Sequence, residues 1–356
     1  MARVLHPDSD ATYLRAQEST GRGLNYHKKL QPLLLHMERT WYTREEAEPS
    51  DEYGTIPEKR PPEELLERSI VIVDKPFGPT SNQVSSWLKK ELDRKKTGHF
   101  GTLDPNATGV LPVGIDSGTR LSSVLSKSDK EYVFEAELGN EIEEDEIRKA
   151  LEGFKGTNEQ VPPEKSAVKQ EEREREVYEI ELLEAQDKRI LGRLNCESGF
   201  YVRVLIDQLG EELGTEAEMK ELRRTRQGPL DEEDAHSLQD IVDAYHFYIE
   251  EDDEEALREV FHPVERAVNH LKKVVVKDSA VNAVANGSDL GTTGISKLQD
   301  GIEKGETIAI MTLKGELVAL AEAEMTSEKM YDADGTAASL ESVHMDPETY
   351  PKRWKQ

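Results

Sequence analysis

The residues best placed to do chemistry lie in Gly98-His99-Phe100-Gly101-Thr102-Leu103-Asp104-Pro105, which runs on into Asn106-Ala107-Thr108-Gly109-Val110-Leu111-Pro112. Two glycines, a histidine and a proline crowd around one carboxylate. Glycine lets backbone approach a ligand closely, and proline fixes the turn after the acid. An ionised carboxylate held against a substrate can act as a nucleophile. An aspartate in a glycine-rich loop is also an ordinary turn residue, and physics alone leaves both readings open. Basic residues stand on either side: Lys89, Lys90, Arg94, Lys95 and Lys96 before the loop, Lys220, Arg223, Arg224 and Arg226 after it. Each cluster alone reads as a solvated helix face. Together they flank the carboxylate as a path for a phosphate backbone would.

The elements that must position these residues follow from hydrophobic period. Ile70–Val73 is a short buried strand. Thr80 caps a helix, with Gln83 as the other half of a capping box, and Val84, Trp87, Leu88 and Leu92 form its apolar face. Tyr132, Phe134, Ala136 and Leu138 alternate as a strand with one wet face. Ile147, Ala150, Leu151 and Phe154 make a helix stripe. Tyr178, Ile180 and Leu182 alternate again, with Ile190–Cys196 as hairpin partner. Leu205, Leu209 and Leu213 form a helix ended by Gly214, and Met219 with Leu222 suggests a short helix after it. The acidic run Glu250–Glu259 reads as a boundary helix or linker. Beyond it, Val274–Lys277 is a strand, Ser279 caps a helix through Ala285 that stops at Asn286-Gly287, and Ile308–Thr312 pairs with Leu317–Leu320 across Lys314-Gly315. Hairpins interrupted by helices make the class α+β, with a small β-rich unit at the C-terminus. Upstream, Leu30, Leu33, Leu34 and Met37 suggest a helix over Tyr26–Trp41, and Glu45–Pro62 is a linker or extended arm.

Composition limits what such a chain can be. One cysteine in 356 residues, Cys196, excludes a disulfide framework and a cysteine-rich zinc site. No secretory leader follows Met1 and no apolar run reaches the ~20 residues of a spanning helix, so a soluble, cytoplasmic protein is expected. The net charge of -27 argues against nucleic acid, whose affinity comes from Lys and Arg. It fits an acidic surface on an enzyme of small molecules, or a surface adapted to concentrated salt, where self-repulsion is screened.

The motifs decide between these. Gly98–Pro112 resembles the signature of the TruB/dyskerin family of pseudouridine synthases, in which the aspartate is the nucleophile. Four further segments resemble the same family in the same order: Lys75-Pro76-Phe77-Gly78-Pro79-Thr80-Ser81, Lys130-Glu131-Tyr132, Pro162–Lys169, and Gly199-Phe200-Tyr201-Val202-Arg203 running on to Leu222–Pro229. From about Lys272 to Trp354 the chain resembles the PUA domain of the archaeal dyskerin-type enzyme. The resemblance covers roughly residues 51–356; residues 1–50 carry none.

The resemblance implies an RNA pseudouridine synthase that needs no cofactor and no metal, because uridine is isomerised without adding a group. It implies a mixed or antiparallel catalytic sheet over 69–262, an arm or linker over 51–68, a PUA domain with tail over 263–356, and an unassigned extension over 1–50. Asp104 is then the nucleophile. Arg203 pairs with it, Tyr132 stacks on the target base and assists proton removal at carbon 5, and Tyr201, Leu222 and His99 line the nucleotide pocket. Lys95, Lys96, Arg223, Arg224 and Arg226 are expected along the RNA path. A base held in RNA must leave its stack to be reached. The implied substrates are ribosomal RNA, chosen by pairing with an H/ACA guide RNA in a particle with small protein subunits, and uridine 55 of transfer RNA. A stand-alone transfer RNA synthase and a catalytically silent RNA-binding scaffold are the alternatives. Phe200 stands where the family has threonine, and Gln170–Arg175 is acidic where archaeal relatives are basic. The C-terminal unit is expected to be removable, with loss of RNA grip rather than of chemistry.

Overall fold

The computed structural model describes residues 40–162 and 169–352. The expected helix over Tyr26–Trp41 lies outside the described residues up to residue 39, and Trp41 itself stands in a short strand, β1 (Trp41–Thr43). Part of the Pro162–Lys169 motif, residues 163–168, also lies outside them. Among the described residues no helix is long and apolar enough to cross a membrane.

Ten strands form the larger sheet: β2 (Arg68–Lys75), β3 (Thr97–His99), β4 (Ala107–Asp116), β5 (Lys130–Leu138), β6 (Gly156–Gln160), β7 (Arg173–Gln186), β8 (Arg189–Cys196), β9 (Ala217–Gln227), β10 (Leu230–Asp231) and β11 (His262–Pro263). Their order is β11-β2-β4-β9-β5-β8-β7-β6, with β3 beside β4 and β10 beside β9. Most pairs are antiparallel, but β4 and β9 run parallel at its centre, Ala107 opposite Leu222 and Gly109 opposite Arg224. Among the described residues six helices of six residues or more accompany it: α1 (Pro62–Glu67), α2 (Ser81–Glu91), α3 (Glu144–Glu152), α4 (Val202–Glu212), α5 (Leu238–Glu251) and α6 (Glu254–Val260). The capping box of Thr80 and Gln83 forms at the start of α2, whose Val84 and Leu88, with Leu92 just beyond, are buried, whereas Trp87 is 46% exposed and leaves the apolar face.

The second sheet holds seven strands: β1 with β12 (Lys272–Val276), β13 (Leu290–Gly291), β14 (Ile295–Gln299), β15 (Thr307–Met311), β16 (Leu317–Ala323) and β17 (Thr336–Val343), in the order β1-β14-β12-β15-β16-β17-β13. Its helix α7 (Asp278–Ala285) has Lys277, not Ser279, at the N-cap, and no side chain caps it. Gly315 takes φ +85 in the β15–β16 turn, a left-handed conformation that glycine adopts without cost.

Two expectations fail for one reason, the β-bulge. Met219 and Leu222 lie in β9 and not on a helix. An irregularity leaves Lys220 unpaired between Met219 opposite Ala136 and Leu222 opposite Phe134. The extra residue brings two side chains three apart onto one face, which imitates helical spacing. In β7 a similar shift sets Val177 opposite Cys196 and Glu179 opposite Asn195, and the unpaired Tyr178 turns outward, 38% exposed.

The acidic run Glu250–Glu259 is no linker. Its helix α6 places Leu257 and Val260 in the core of the larger sheet. The segment after β1 does act as an arm and is bonded throughout: the Ser50 N–H donates to Asp278 Oδ2 (2.7 Å) and the Thr55 N–H to Glu316 Oε1 (2.9 Å). The two sheets share one apolar cluster, with Ile70, Ile72, Phe100 and Val110 from the first packed with Ala309, Met311, Leu317 and Leu320 from the second. Removing Lys272–Gln356 would open that cluster and strand β1, so the C-terminal unit is not a detachable module.

Two histidines are buried near this junction. Burial first, then the positive charge of Arg266, drives His262 down to about 4; burial first, then Arg68 and Arg120, drives His344 down to about 4. An unfolded histidine titrates near ~6.5, so the unfolded chain binds more protons between those values. Stability from keeping them neutral is complete above that range and is lost as pH falls toward 4. Thermal melts are expected to show a midpoint that falls from pH 6.5 to 4.5, and falls less in His344→Gln. Equal slopes in both proteins would show that His344 takes no part.

Candidate active site

Asp104 sits in the loop between β3 and β4, and the loop is held by its backbone rather than by its side chains. The Ser81 hydroxyl, at the first turn of α2, donates to the Leu103 carbonyl (2.9 Å) and accepts from the Leu103 N–H (2.8 Å). The Gly78 N–H donates to the Pro105 carbonyl (2.8 Å). Lys75 Nζ donates to the carbonyls of Pro76 (2.9 Å), Ala107 (2.8 Å) and, longer, Pro105 (3.4 Å). On the other flank Arg224 donates to the carbonyls of Val110 (2.7 Å) and Gly101 (3.0 Å), and Gln227 to those of Phe100 and Leu125. A side chain on Gly109 would put its Cβ 2.2 Å from the Arg224 carbonyl, so glycine is required where β4 and β9 meet.

Against this clamped backbone the Asp104 side chain is 66% exposed and ion-paired with Arg203, whose Nη2 lies 3.6 Å from its Oδ2. Arg203 reaches it from the first turn of α4. That helix is placed by Tyr201, whose N–H donates to Gln160 Oε1 (2.8 Å) while its carbonyl accepts from Gln160 Nε2 (3.1 Å). Tyr132 lies on the buried face of β5, directly opposite Arg224. Leu222 faces Ala107 across β9–β4 and Phe134 across β9–β5. His99 ends β3, half-buried, its Nε2 without a hydrogen-bond partner among the described residues. Burial pushes its imidazole below the ordinary value, and Arg224 adds to that. Asp104 thus meets Arg203 from about 100 residues away, Leu222 stands opposite Ala107 at the end of the same loop, and Tyr132 and His99 both lie near Arg224 beneath it.

The expected RNA path is only partly there. Lys95 and Lys96 are exposed beyond α2. Arg223 is bonded to Asp74 (2.9 Å) and Glu232 (2.8 Å), so its charge is already answered. Arg226 is half-buried, with Nη1 on the Gly228 carbonyl. Arg224 is 1% exposed and cannot touch RNA at all. The β9 bulge at Thr225, between Arg226 opposite Glu131 and Arg224 opposite Tyr132, sends these arginines to different environments. Gln160 and Gln227 were not singled out from the sequence. Only the buried glutamine itself is a signal, and burial is not visible in sequence.

Known proteins resemble this chain along most of its length. The profile described as TruB family pseudouridylate synthase (N terminal domain) matches residues 89–202, that of the tRNA pseudouridylate synthase B C-terminal domain 203–269, that of the PUA domain 272–343, and that of the DKCLD (NUC011) domain 28–85. The last reaches into the first 50 residues, where the motifs had shown no resemblance. A probable tRNA pseudouridine synthase B of Methanocaldococcus jannaschii is 46% identical over 330 residues, 92% of this chain and 98% of that protein. One from Pyrococcus furiosus is 46% identical over 314 residues, 88% and 92% of the two chains. Among solved structures, a chain of a Cbf5-Nop10-Gar1 complex gives a TM-score of 0.85 at 45% identity, covering 90% of this chain and 98% of that one. A chain of an H/ACA RNP bound to a substrate RNA containing 2'-deoxyuridine gives 0.85 at 43%, covering 91% and 100%.

Proposed function

The chain belongs to the TruB family and is an RNA pseudouridine synthase, and from that premise we propose that Asp104 is its nucleophile, acting on a uridine turned out of its RNA. Arg203 pairs with the carboxylate and orients it toward the nucleotide. Tyr132 meets the uracil ring and serves proton removal at carbon 5. Tyr201, Leu222 and His99 line the pocket. The observation that carries this is the exposed Asp104 carboxylate on a backbone clamped from both sides, ion-paired with Arg203 at 3.6 Å. A loop aspartate kept only for its turn would direct its side chain back into that turn. Intact Asp104, Tyr132 and Arg203 also weigh against a silent scaffold.

The proposed setting is an archaeal cytoplasm, with this chain as catalytic subunit of an H/ACA guide particle alongside small proteins of the kind named Nop10 and Gar1. Its likeness to such subunits covers 98% and 100% of those chains. The curated relatives are named for transfer RNA, which favours uridine 55 of transfer RNA as a second substrate. The test is pseudouridine formation on transfer RNA and on ribosomal RNA fragments, with and without guide RNA and partner proteins. Activity on ribosomal fragments only with the guide complete is expected; guide-independent activity restricted to transfer RNA would leave the stand-alone reading.

The acidic surface fits a salt-rich cell. Glu250–Glu255 and Glu143–Glu146 are all exposed, and their repulsion of RNA is screened in concentrated salt, where the Debye length at 1 M is ~3 Å. Thermal midpoint and single-turnover rate are expected to rise from low ionic strength toward molar potassium chloride. A maximum at low salt in both refutes this.

A further inference from the structure

Three buried cations stand on strands of the larger sheet: Lys75, Lys130 and Arg224, exposed by 0%, 5% and 1%. Among the described residues none of them forms an ion pair. Lys75 and Lys130 bond main-chain carbonyls, the latter those of Ser126 and Ser128. Burying a charge without an opposite charge is costly. A lysine is the cheaper case, because it can shed its proton: burial, then Arg224, lowers Lys130 to about 8. An arginine remains charged in proteins, so Arg224 keeps a permanent positive charge in the core of the larger sheet.

The hydrogen bonds of Arg224 among the described residues go to the Val110 and Gly101 carbonyls, and across β5–β9 it stands directly opposite Tyr132 on the same face of the sheet, where its charge favours the ionised phenol. That placement depends on the bulge at Thr225, which sets Arg224 opposite Tyr132. We propose that Arg224 is a positioning residue for the isomerisation: it fixes the Tyr132 oxygen against the floor of the nucleophile loop and holds the negative charge left when that hydroxyl gives its proton to solvent before the uridine enters. The inference rests on the reading of Tyr132 given above. In the last step the C5–H bonding pair returns to the uracil ring and the proton passes to the tyrosinate oxygen, giving the neutral phenol. Arg224 faces that oxygen before and after the transfer.

The groups facing Tyr132 are few. Burial raises its phenol, Arg224 on β9 opposes that by charge, and Cys196 on β8 and Asp104 on the loop add to the rise. Lys130, on the same strand, is bonded away to carbonyls. Removing Arg224 therefore leaves every remaining influence from the facing strands and loop pushing the phenol upward, and ionisation moves to higher pH.

The experiment compares Arg224→Gln, Arg224→Lys, Tyr132→Phe and the corresponding double variants. Each is read by single-turnover rate against pH at saturating enzyme, on whichever RNA turns over in the assay above. Loss of one preorganised donor is expected to slow Arg224→Gln by about 100-fold, with the rising limb of its pH profile moved up by about one unit or more. In the Tyr132→Phe background the same substitution is expected to change the rate by less than about threefold, as for two groups acting as one. Full slowing in that background, or superimposed pH profiles, overturns the proposal. A wild-type rate for Tyr132→Phe alone would instead remove the assigned role of Tyr132. If Arg224→Gln does not fold, Arg224→Lys is tested the same way. The Tyr132 step in the tyrosinate ultraviolet titration, wild type minus Tyr132→Phe, gives a reading independent of turnover. It must move to higher pH in Arg224→Lys, and an unmoved step overturns the proposal.

Discussion

Asp104→Asn is expected to abolish pseudouridine formation, a loss on the order of 10⁴-fold or more as for other removed nucleophiles, while RNA affinity stays within a few-fold. The amide keeps the size and most of the hydrogen-bonding capacity of the side chain but cannot attack carbon. The loop should not move, because Ser81, Lys75, Gly78 and Arg224 hold it through the main chain and none of them touches the Asp104 carboxylate. Arg203 loses a partner but is 41% exposed and can be hydrated, so the thermal midpoint should change little. Product is read by chemical mapping of pseudouridine and affinity by filter retention. Turnover within tenfold of wild type would remove Asp104 from the mechanism, and a parallel collapse of RNA binding would make it a binding residue.

The largest effect on stability is expected at Arg60 and Glu265. Both are buried, at 0% and 7% exposure, and they meet in two parallel 2.7 Å hydrogen bonds. Glu265 Oε1 also accepts the Leu317 N–H (2.9 Å), so the pair ties the N-terminal arm to the first residue of β16 in the second sheet. Burial opposes charge on Glu265, but the bonds and charge of Arg60 and the Leu317 N–H outweigh it and hold the carboxyl below its ordinary value. Removing Arg60 leaves Glu265 buried without its ion-pair partner, and removing Glu265 leaves buried Arg60 with only the half-exposed Glu64, 3.3 Å from its Nε. Glu265→Gln or Arg60→Met is expected to cost ~3–5 kcal/mol, a fall of roughly 5–15 °C in thermal midpoint. Arg60→Met combined with Glu265→Leu should recover part of the loss, since no charge is then stranded. A double variant less stable than the sum of both singles would show that the pair contributes more than mutual neutralisation.

Much of the larger sheet was legible because its signals are local. The Thr80 capping box, the alternation of Tyr132 to Leu138 and the Gly214 stop each depend on residues a few positions apart, and each forms as its chemistry directs. The misreadings arose where a local pattern has two physical causes. Met219 and Leu222 are spaced for a helix and sit in a bulged strand. Glu250–Glu259 reads as a boundary helix or linker; a helix forms over Glu254–Val260, but its Leu257 and Val260 belong to the core and not to a boundary. Ser279 is a good capping residue two positions too late, because Lys277 is the N-cap and the helix begins at Asp278.

The site divides along the same line. Residue identity and short spacing carry a motif, so a carboxylate, a tyrosine and an arginine were already readable in the motifs of an RNA-modifying family. What those residues face depends on how distant strands pair. Parallel pairing of β4 with β9 puts Gly109 against Arg224, and a single extra residue at Thr225 brings Arg224 under Tyr132. In sequence Arg223, Arg224 and Arg226 are three equal cations. In the fold one answers Asp74 and Glu232, one is sealed beneath the nucleophile loop, and one stays at the half-buried edge. The physical reason is that strand register and bulges set the side of a sheet on which each side chain emerges, and both are fixed by pairing with residues nearly a hundred positions away.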